Sequence, residues 1–289
     1  MSFQCRDLLD RCLTSVREHG GGDGAMPEIW VVDNASTDGT LEMLAARHPA
    51  AHVISADRNL GFAAANNLAL REVDTEYVLM LNPDTELHAG TLAGLIPILD
   101  ERPGVGMAGC RLVRPDGRFD HAARRSFPTI AGALGHFSGL GRRARSPVRL
   151  AQYRAPEREN AGPVDAINGA LMLIRRAALE DVGPFDPGYW LYMEDLDLCY
   201  RFKQHGWEVF YEPRVTATHV KGATSGRHRR WRQNRAFHYG MYRFYRKFYA
   251  PERPPLLNLV VYVGIVVKLA VSALGSVLGR ARTRVSTPG

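Results

Sequence analysis

Short apolar runs alternate along the chain with amphipathic stretches, and polar turns punctuate them. Residues 5–18 place Leu8, Leu9, Cys12, Leu13 and Val16 on one side of a helix, before the break Gly20-Gly21-Gly22-Asp23-Gly24. The β-branched run in Glu28–Val32 predicts a strand, ending at the polar turn Asp33–Thr40, and Leu41–Arg47 predicts a helix. The plan repeats with strand His52–Ser55, loop Asp57–Gly61 and helix Ala63–Arg71. It repeats again with strand Tyr77–Leu81, loop Asn82–Glu86 and helix Ala89–Leu99. Strands alternating with helices predict an α/β fold with a mainly parallel central sheet, whose polar loops share the edge where ligands bind.

Residues 111–163 break the pattern. They hold 11 Arg, several Gly and Pro and no clean period, so they read as a surface excursion over the sheet. Beyond it, Ala170–Ile174 predicts a buried strand, Arg175–Val182 a short helix, and Leu196–His205 a helix starting beside an acidic cluster. Glu208–Tyr211 and Val215–His219 complete the body. Leu256–Gly279 is different, with 24 residues and one formal charge, Lys268, between basic flanks. That length can cross hydrocarbon. Yet Asn258, Gly264, Lys268, Ser272, Gly275, Ser276 and Gly279 recur at helical spacing as a small-polar stripe. A spanning helix, an in-plane or re-entrant helix, a soluble core helix and a dimer seam all remain open. The expected organisation is a catalytic body at 1–222, a basic helical linker at 223–255, and a membrane-associated helix with a basic tail at 256–289.

Composition sharpens this picture. The 289 residues are 45% apolar and 23% charged, ordinary globular proportions. Residues 1–200 carry 20 Lys+Arg against 27 Asp+Glu, whereas residues 201–289 carry 17 against 3. A body of −7 and a tail of +14 predict an anionic partner for the tail. No nucleic-acid motif accompanies the charge, so no nucleic acid is expected and an anionic membrane surface is preferred. Cys5, Cys12, Cys110 and Cys199 form no CxxC pair, which argues against a zinc site or disulfide framework. Met1–Arg11 is polar and lacks the apolar segment of a secretory signal, so the body is expected at the cytoplasmic face of the membrane.

The polar loops supply acceptors for a base and ribose, glycines for close approach, and acids for a divalent metal. Asp33, Asp38 and Asp84 could equally be helix caps, and Asn59 with Gly61 a simple turn. Glu194-Asp195-Leu196-Asp197 follows the aromatic run Tyr189-Trp190-Leu191-Tyr192. Three carboxylates this close must be solvated, metal-bound or shifted in pKa, unless they only favour a helix N-terminus.

In order, VVDNASTDGT at 31–40, NLGFAAANN at 59–67, LNPDTEL at 81–87, NGALMLIRR at 168–176, FDPGYWLYMEDLDLCYRFKQHGW at 185–207 and His219 resemble the inverting glycosyltransferases of family two. The likeness covers about three quarters of the chain and is greatest to bacterial rhamnosyltransferase-type enzymes of cell-wall and surface-polysaccharide assembly. It implies a GT-A fold and a hexosyltransferase-type enzyme. On the donor side, Asp33, Asn34, Asp38, Asn59, Gly61, Asn66, Asn82 and Asp84 would bind a dTDP- or UDP-sugar. Asp84 and His219 would hold Mg²⁺ or Mn²⁺, Asn82-Pro83-Asp84 standing where the family often shows Asp-x-Asp. Asp195 would be the general base with Glu194 as support. Gly169, Trp190, Tyr192 and Asp197 would line the sugar and acceptor side, for a lipid-linked or polysaccharide acceptor. The family's first strand is expected to be missing, because Met1-Ser2-Phe3-Gln4-Cys5 matches the segment just after it. The alternative is a non-catalytic, truncated, membrane-associated relative.

Overall fold

The computed structural model describes residues 1–21, 26–128, 159–220 and 231–285, with side chains as far as 274. Helix α1 (Arg6–His19) buries Leu9, Cys12, Leu13 and Val16, a stripe at i, i+3, i+4 and i+7. Strand β1 (Trp30–Asp33) and helix α2 (Thr40–Arg47) precede β2 (His52–Ser55), which pairs parallel to β1 with Asp33 opposite Ser55. In the segment expected to follow the missing first strand, Ser2 makes a parallel bridge to Asp33. Helix α3 (Phe62–Glu72) follows, then β3 (Tyr77–Leu81), β4 (Thr85–Leu87), α4 (Thr91–Glu101) and β5 (Val105–Val113).

Short β6 (Arg124–Arg125), β7 (Gly162–Pro163) and β8 (Ala166–Ile167) flank the part of the excursion at 129–158 that lies outside the described residues. Strand β9 (Leu171–Arg175), helices α5 (Arg176–Val182) and α6 (Glu194–Gln204), and β10 (Glu208–His219) complete the body. The main sheet runs β3-β9-β5-β10-β4, with β7 on β10. Its core includes Met107, Ala108, Ile174, Leu196 and Val209, each fully buried.

This sheet corrects the expectation of a mainly parallel one. Only β5 with β10 pairs parallel in it; β9 runs antiparallel to both β3 and β5, and β4 antiparallel to β10. The cause is the excursion after β5, which returns the chain to the end β5 has just left, so β9 must run the other way. Strand β5 itself, unannounced by the pattern, is interrupted by Gly106 and Gly109, whose places a side chain could not take without meeting Phe202 and Ile167. The two expected runs at 208–211 and 215–219 are one strand, whose register slips between Glu212 and Thr216 around Pro213, a residue with no N–H for the ladder.

Helix α7 (Trp231–Phe248) leads through a 3-10 turn (Ala250–Glu252) into α8 (Pro255–Val285). The stretch expected as a basic helical linker is helical at Trp231–Phe248, and the helix packs on the body: Phe244 is fully buried in the main core.

Candidate active site

The carboxyl end of β1 delivers Asp33, fully buried, where it accepts hydrogen bonds from the Ser2 hydroxyl (3.2 Å) and the Ser36 N–H (2.9 Å). Asn34, also fully buried, splices two loops. Its Nδ2 donates to Asn59 Oδ1 (3.3 Å) and the Gly61 carbonyl (3.2 Å), and its Oδ1 accepts from Leu60 N–H (2.8 Å). Asp38 accepts from Arg6 N–H (2.9 Å) at the start of α1 and from the Thr40 hydroxyl (2.6 Å). Asn66 bridges the Phe62 carbonyl (3.0 Å) and the amino group of Met1 (3.3 Å). Four of the residues expected on the donor side thus also hold the loops in shape. Gly61 has φ +89°, and a Cβ there would lie 2.3 Å from the Trp190 carbonyl, so this loop and the aromatic run meet only because residue 61 is glycine. Phe62 N–H donates to that same carbonyl at 2.7 Å.

A second group forms where β4 pairs with β10. Their register sets His219 opposite Thr85, beside Asp84, and Val220 N–H donates to the Asp84 carbonyl at 2.8 Å. His219 Nε2 lies 3.6 Å from Asp84 Oδ1, while Nδ1 is 3.0 Å from Oδ2 of the fully buried Asp120. Burial alone would lower the imidazole pKa, but the hydrogen bonds and charges of Asp120 and Asp84 push it up to about 9. Asp120 belongs to the excursion and went unmarked in the sequence. Among the described residues no three His, Cys, Asp or Glu side chains form a metal-holding group by themselves.

The acidic cluster is the first turn of α6, preceded by Tyr192 and Met193, both left-handed, with φ of 71° and 75°. Two successive non-glycine residues in that region are a strained entry to a helix, held by the surrounding packing. Asp195 is buried, and three donors meet its carboxylate. Oδ2 accepts from Gly169 N–H (3.0 Å) and forms an ion pair with Arg125 on β6, and Oδ1 accepts from Leu196 N–H (2.8 Å). A carboxylate offers about four lone-pair positions, which leaves one for a further donor. Burial first, then the charge of Asp195, pushes the Glu194 carboxyl well above the ordinary carboxylate range, which favours its protonated form. Two adjacent carboxyl groups in unlike surroundings are the pattern of paired acid and base residues.

Asp197, expected on the acceptor side, faces elsewhere. It is fully buried between Arg201 (2.7 Å) and Lys247 of α7 (2.7 Å). Lys247 also reaches Asp186 (3.1 Å), which Arg243 clamps through both carboxylate oxygens at 2.8 and 2.9 Å. Helix α7 packs on the strained entry as well, because a Cβ at Gly240 would stand 3.0 Å from Met193 and from the Tyr192 carbonyl. Tyr192 meets Phe237 edge to face, and Arg232 stacks 4.0 Å over the Trp190 ring. Nothing along the chain marked α7 as part of this site, because its Arg232, Arg243 and Lys247 also suit a solvated helix and Phe237, Gly240 and Phe244 form no motif.

Solved structures share this architecture. The mannosyltransferase PcManGT from Pyrobaculum calidifontis, in complex with GDP-Man and Mn²⁺, has a TM-score of 0.58 at 19% identity over 98% of this chain and 77% of that one. GalNAc-T7 with UDP, GalNAc and Mn²⁺ has a TM-score of 0.52 at 16% identity, over 73% of this chain and 40% of that one. The fold is of the GT-A type, and the class of protein it defines with this site is a glycosyltransferase. Residues 1–183 match the model of Glycosyl transferase family 2, and the chain belongs to that family. It is 30% identical over 210 residues to the N-acetylglucosaminyl-diphospho-decaprenol L-rhamnosyltransferase of Mycobacterium tuberculosis (strain CDC 1551 / Oshkosh), covering 69% of this chain and 68% of that protein. Rhamnosyltransferase WbbL of Escherichia coli (strain K12) is 29% identical over 167 residues, 55% of this chain and 60% of that protein.

Proposed function

We propose that the protein transfers a sugar, rhamnose, from a dTDP- or UDP-linked donor to a lipid-linked or polysaccharide acceptor at the cytoplasmic face of a membrane, with inversion at the anomeric carbon. The names of the relatives support rhamnose and a diphospho-lipid acceptor. In this reading the catalytic body is 1–222, and the C-terminal helices serve it at the membrane.

The observation that carries the reading is the placement of Asp195. Its carboxylate is fixed by Gly169 N–H, Leu196 N–H and Arg125, with one position left for an acceptor hydroxyl. In an inverting displacement the acceptor oxygen bonds to the anomeric carbon as the bond to the diphosphate breaks, and the electron pair of that bond leaves with the phosphate. The hydroxyl proton passes to Asp195. Burial and the charge of Asp195 both disfavour a second negative charge on Glu194 beside it. Trp190, steadied by Arg232, offers an aromatic wall to a sugar ring.

The Asp84 and His219 pair fits a divalent cation, which would bind with loss of the Nε2 proton that Asp84 otherwise favours. Carboxylate and imidazole suit Mn²⁺ and Mg²⁺, Nε2 faces Asp84, and Asp120 behind Nδ1 fixes the ring as the outer partner of a ligating histidine does. Two protein ligands leave the remaining positions to the donor diphosphate and water. When bound, the ion neutralises charge on the departing diphosphate. Mn²⁺ in the two solved structures supports this assignment.

Calorimetric binding of dTDP and UDP, each with Mn²⁺ or EDTA, tests the reading on the chain and on Asp84→Ala. Metal-dependent binding that the substitution removes is expected. Binding that is equal with and without metal, or equal in both proteins, would refute the metal assignment.

A further inference from the structure

Helix α8 is amphipathic in reverse. Its polar stripe faces the protein: Tyr245 Oη donates to Asn258 Oδ1 (2.7 Å), Asn258 Nδ2 donates to the Ala250 carbonyl (3.0 Å), and Ser272 Oγ donates to Asn234 Oδ1 (3.0 Å) on α7. Val261 and Ile265 on the same side are buried against Met241, Tyr242, Tyr245 and Tyr249. The opposite side is apolar without interruption. Leu256, Leu259, Val260, Val263, Val266, Val267, Val271 and Leu274 recur at helical spacing and are 49–73% exposed. Along Pro255–Leu274, of mean hydropathy 2.1, the buried apolar side chains are Val261 and Ile265. A contiguous apolar face of this kind marks an interaction surface.

Charge indicates what covers it. Residues 231–274 carry seven Lys and Arg against one acid, Glu252; with Arg243 and Lys247 paired to Asp186 and Asp197, Arg232 over Trp190 and Lys268 on the stripe that faces the protein, the cations exposed beside α8 are Arg235, Arg246 and Arg253. Two aromatic side chains of α7, Trp231 at 58% and Tyr239 at 49%, are exposed as well. Cationic and aromatic groups beside a wide apolar face match an anionic lipid surface. Two copies of the same basic surface would repel each other. A helix crossing the bilayer would have to leave α7, which would abandon the hydrogen bonds of Asn258 and Ser272 and carry Lys268 into hydrocarbon.

We propose that α8 lies in the plane of an anionic bilayer surface, with its Leu256–Leu274 face sunk at the headgroup boundary and α7 joining it to the catalytic loop. The apolar stretch then docks the enzyme without spanning the membrane. Helix α7 is the shared element: one side holds α8, and Arg243 and Lys247 on the same helix hold Asp186 and Asp197. This deepens the lipid-linked acceptor reading, since docking would bring Asp195 to the surface that carries such an acceptor.

The test uses the full chain and vesicles that contain no acceptor, so its failure is separable from failure of the transferase reading, which nucleotide binding reports. Flotation with phosphatidylglycerol/phosphatidylcholine vesicles should recover the protein. A double substitution of the exposed face, Val263→Glu with Val267→Glu, should weaken partition at least about tenfold and leave dTDP or UDP binding intact. Orientation is read by single dye labels at Leu256→Cys, Val263→Cys and Val271→Cys, because the four native thiols are buried. Depth-dependent quenching should place all three labels at one shallow depth. A progression of depths from one end to the other would establish a spanning helix and overturn the proposal. So would failure to float with anionic vesicles, or a dimeric mass in light scattering with the labels protected in the absence of lipid.

Discussion

Replacing Arg125 by Met tests whether the buried pair with Asp195 organises the acidic cluster. Both side chains are 9% exposed, and Arg125 also donates to the Ile167 carbonyl at 3.3 Å. Removing one member of a buried ion pair costs about 3–5 kcal/mol, because the other charge is left in a poorly solvated place. Gly169 and Leu196 still donate to Asp195 in the variant, which puts the expected loss near the lower end, about 3 kcal/mol. That is a fifth or more of the roughly 5–15 kcal/mol that stabilises a typical domain, and corresponds to a fall in Tm of roughly 6 °C or more for a chain of this size. Urea unfolding of the wild type, Arg125→Met, Asp195→Asn and the double variant closes the cycle. The double variant should recover at least about 1.5 kcal/mol relative to the sum of the singles, since the neutral amide no longer needs the guanidinium. A single-variant loss below about 1 kcal/mol together with additive energies would refute the argument.

Two further outcomes follow from the site. Asp195→Asn should lower kcat about 10²–10⁴-fold in single-turnover sugar transfer while nucleotide affinity is unchanged, because an amide cannot take the hydroxyl proton; comparable loss of nucleotide binding would mean a structural role instead. Asp186 supplies a pH signature. Burial alone would raise its pKa, but hydrogen bonds from Arg243, Gly188 N–H and Lys247 hold it at about 2 against an ordinary 3.8. A depressed carboxylate contributes stability that is present above about pH 4 and lost as pH falls through 2, here about 2 kcal/mol. Arg243→Met should flatten the acid limb of a stability profile between pH 5 and 2, and an unchanged slope would show that the clamp does not act on Asp186.

Much of the body was legible in the sequence. Strands His52–Ser55 and Tyr77–Leu81 fall where their apolar runs lie, and helices α1, α2 and α3 fit their stripes to within a residue at each end. These elements are local, and their periodicity records which side meets the core. The candidate residues Asp33, Asn34, Asp84, Asp195 and His219 could be singled out for a related reason, since strand ends and helix starts concentrate polar groups. Strand β5 could not, because Gly106 and Gly109 broke its pattern for the sake of Phe202 and Ile167, contacts a linear reading does not contain.

Only the tertiary structure set Asp120 behind His219, 99 residues away, and Arg125 against Asp195. Both came from an excursion that read as an Arg-rich surface loop. It also turned a sheet expected to be mainly parallel into a mixed one, because where the chain re-enters a sheet depends on the path between strands and not on the strands themselves. The C-terminal helix makes the same division. Its sequence determined that one side is apolar and one carries Asn258, Lys268 and Ser272, but which side meets the protein was decided by α7, whose Asn234 and Tyr245 receive the polar stripe and leave the apolar face outward. Amphipathicity is a property of one segment; its direction is a property of the pair.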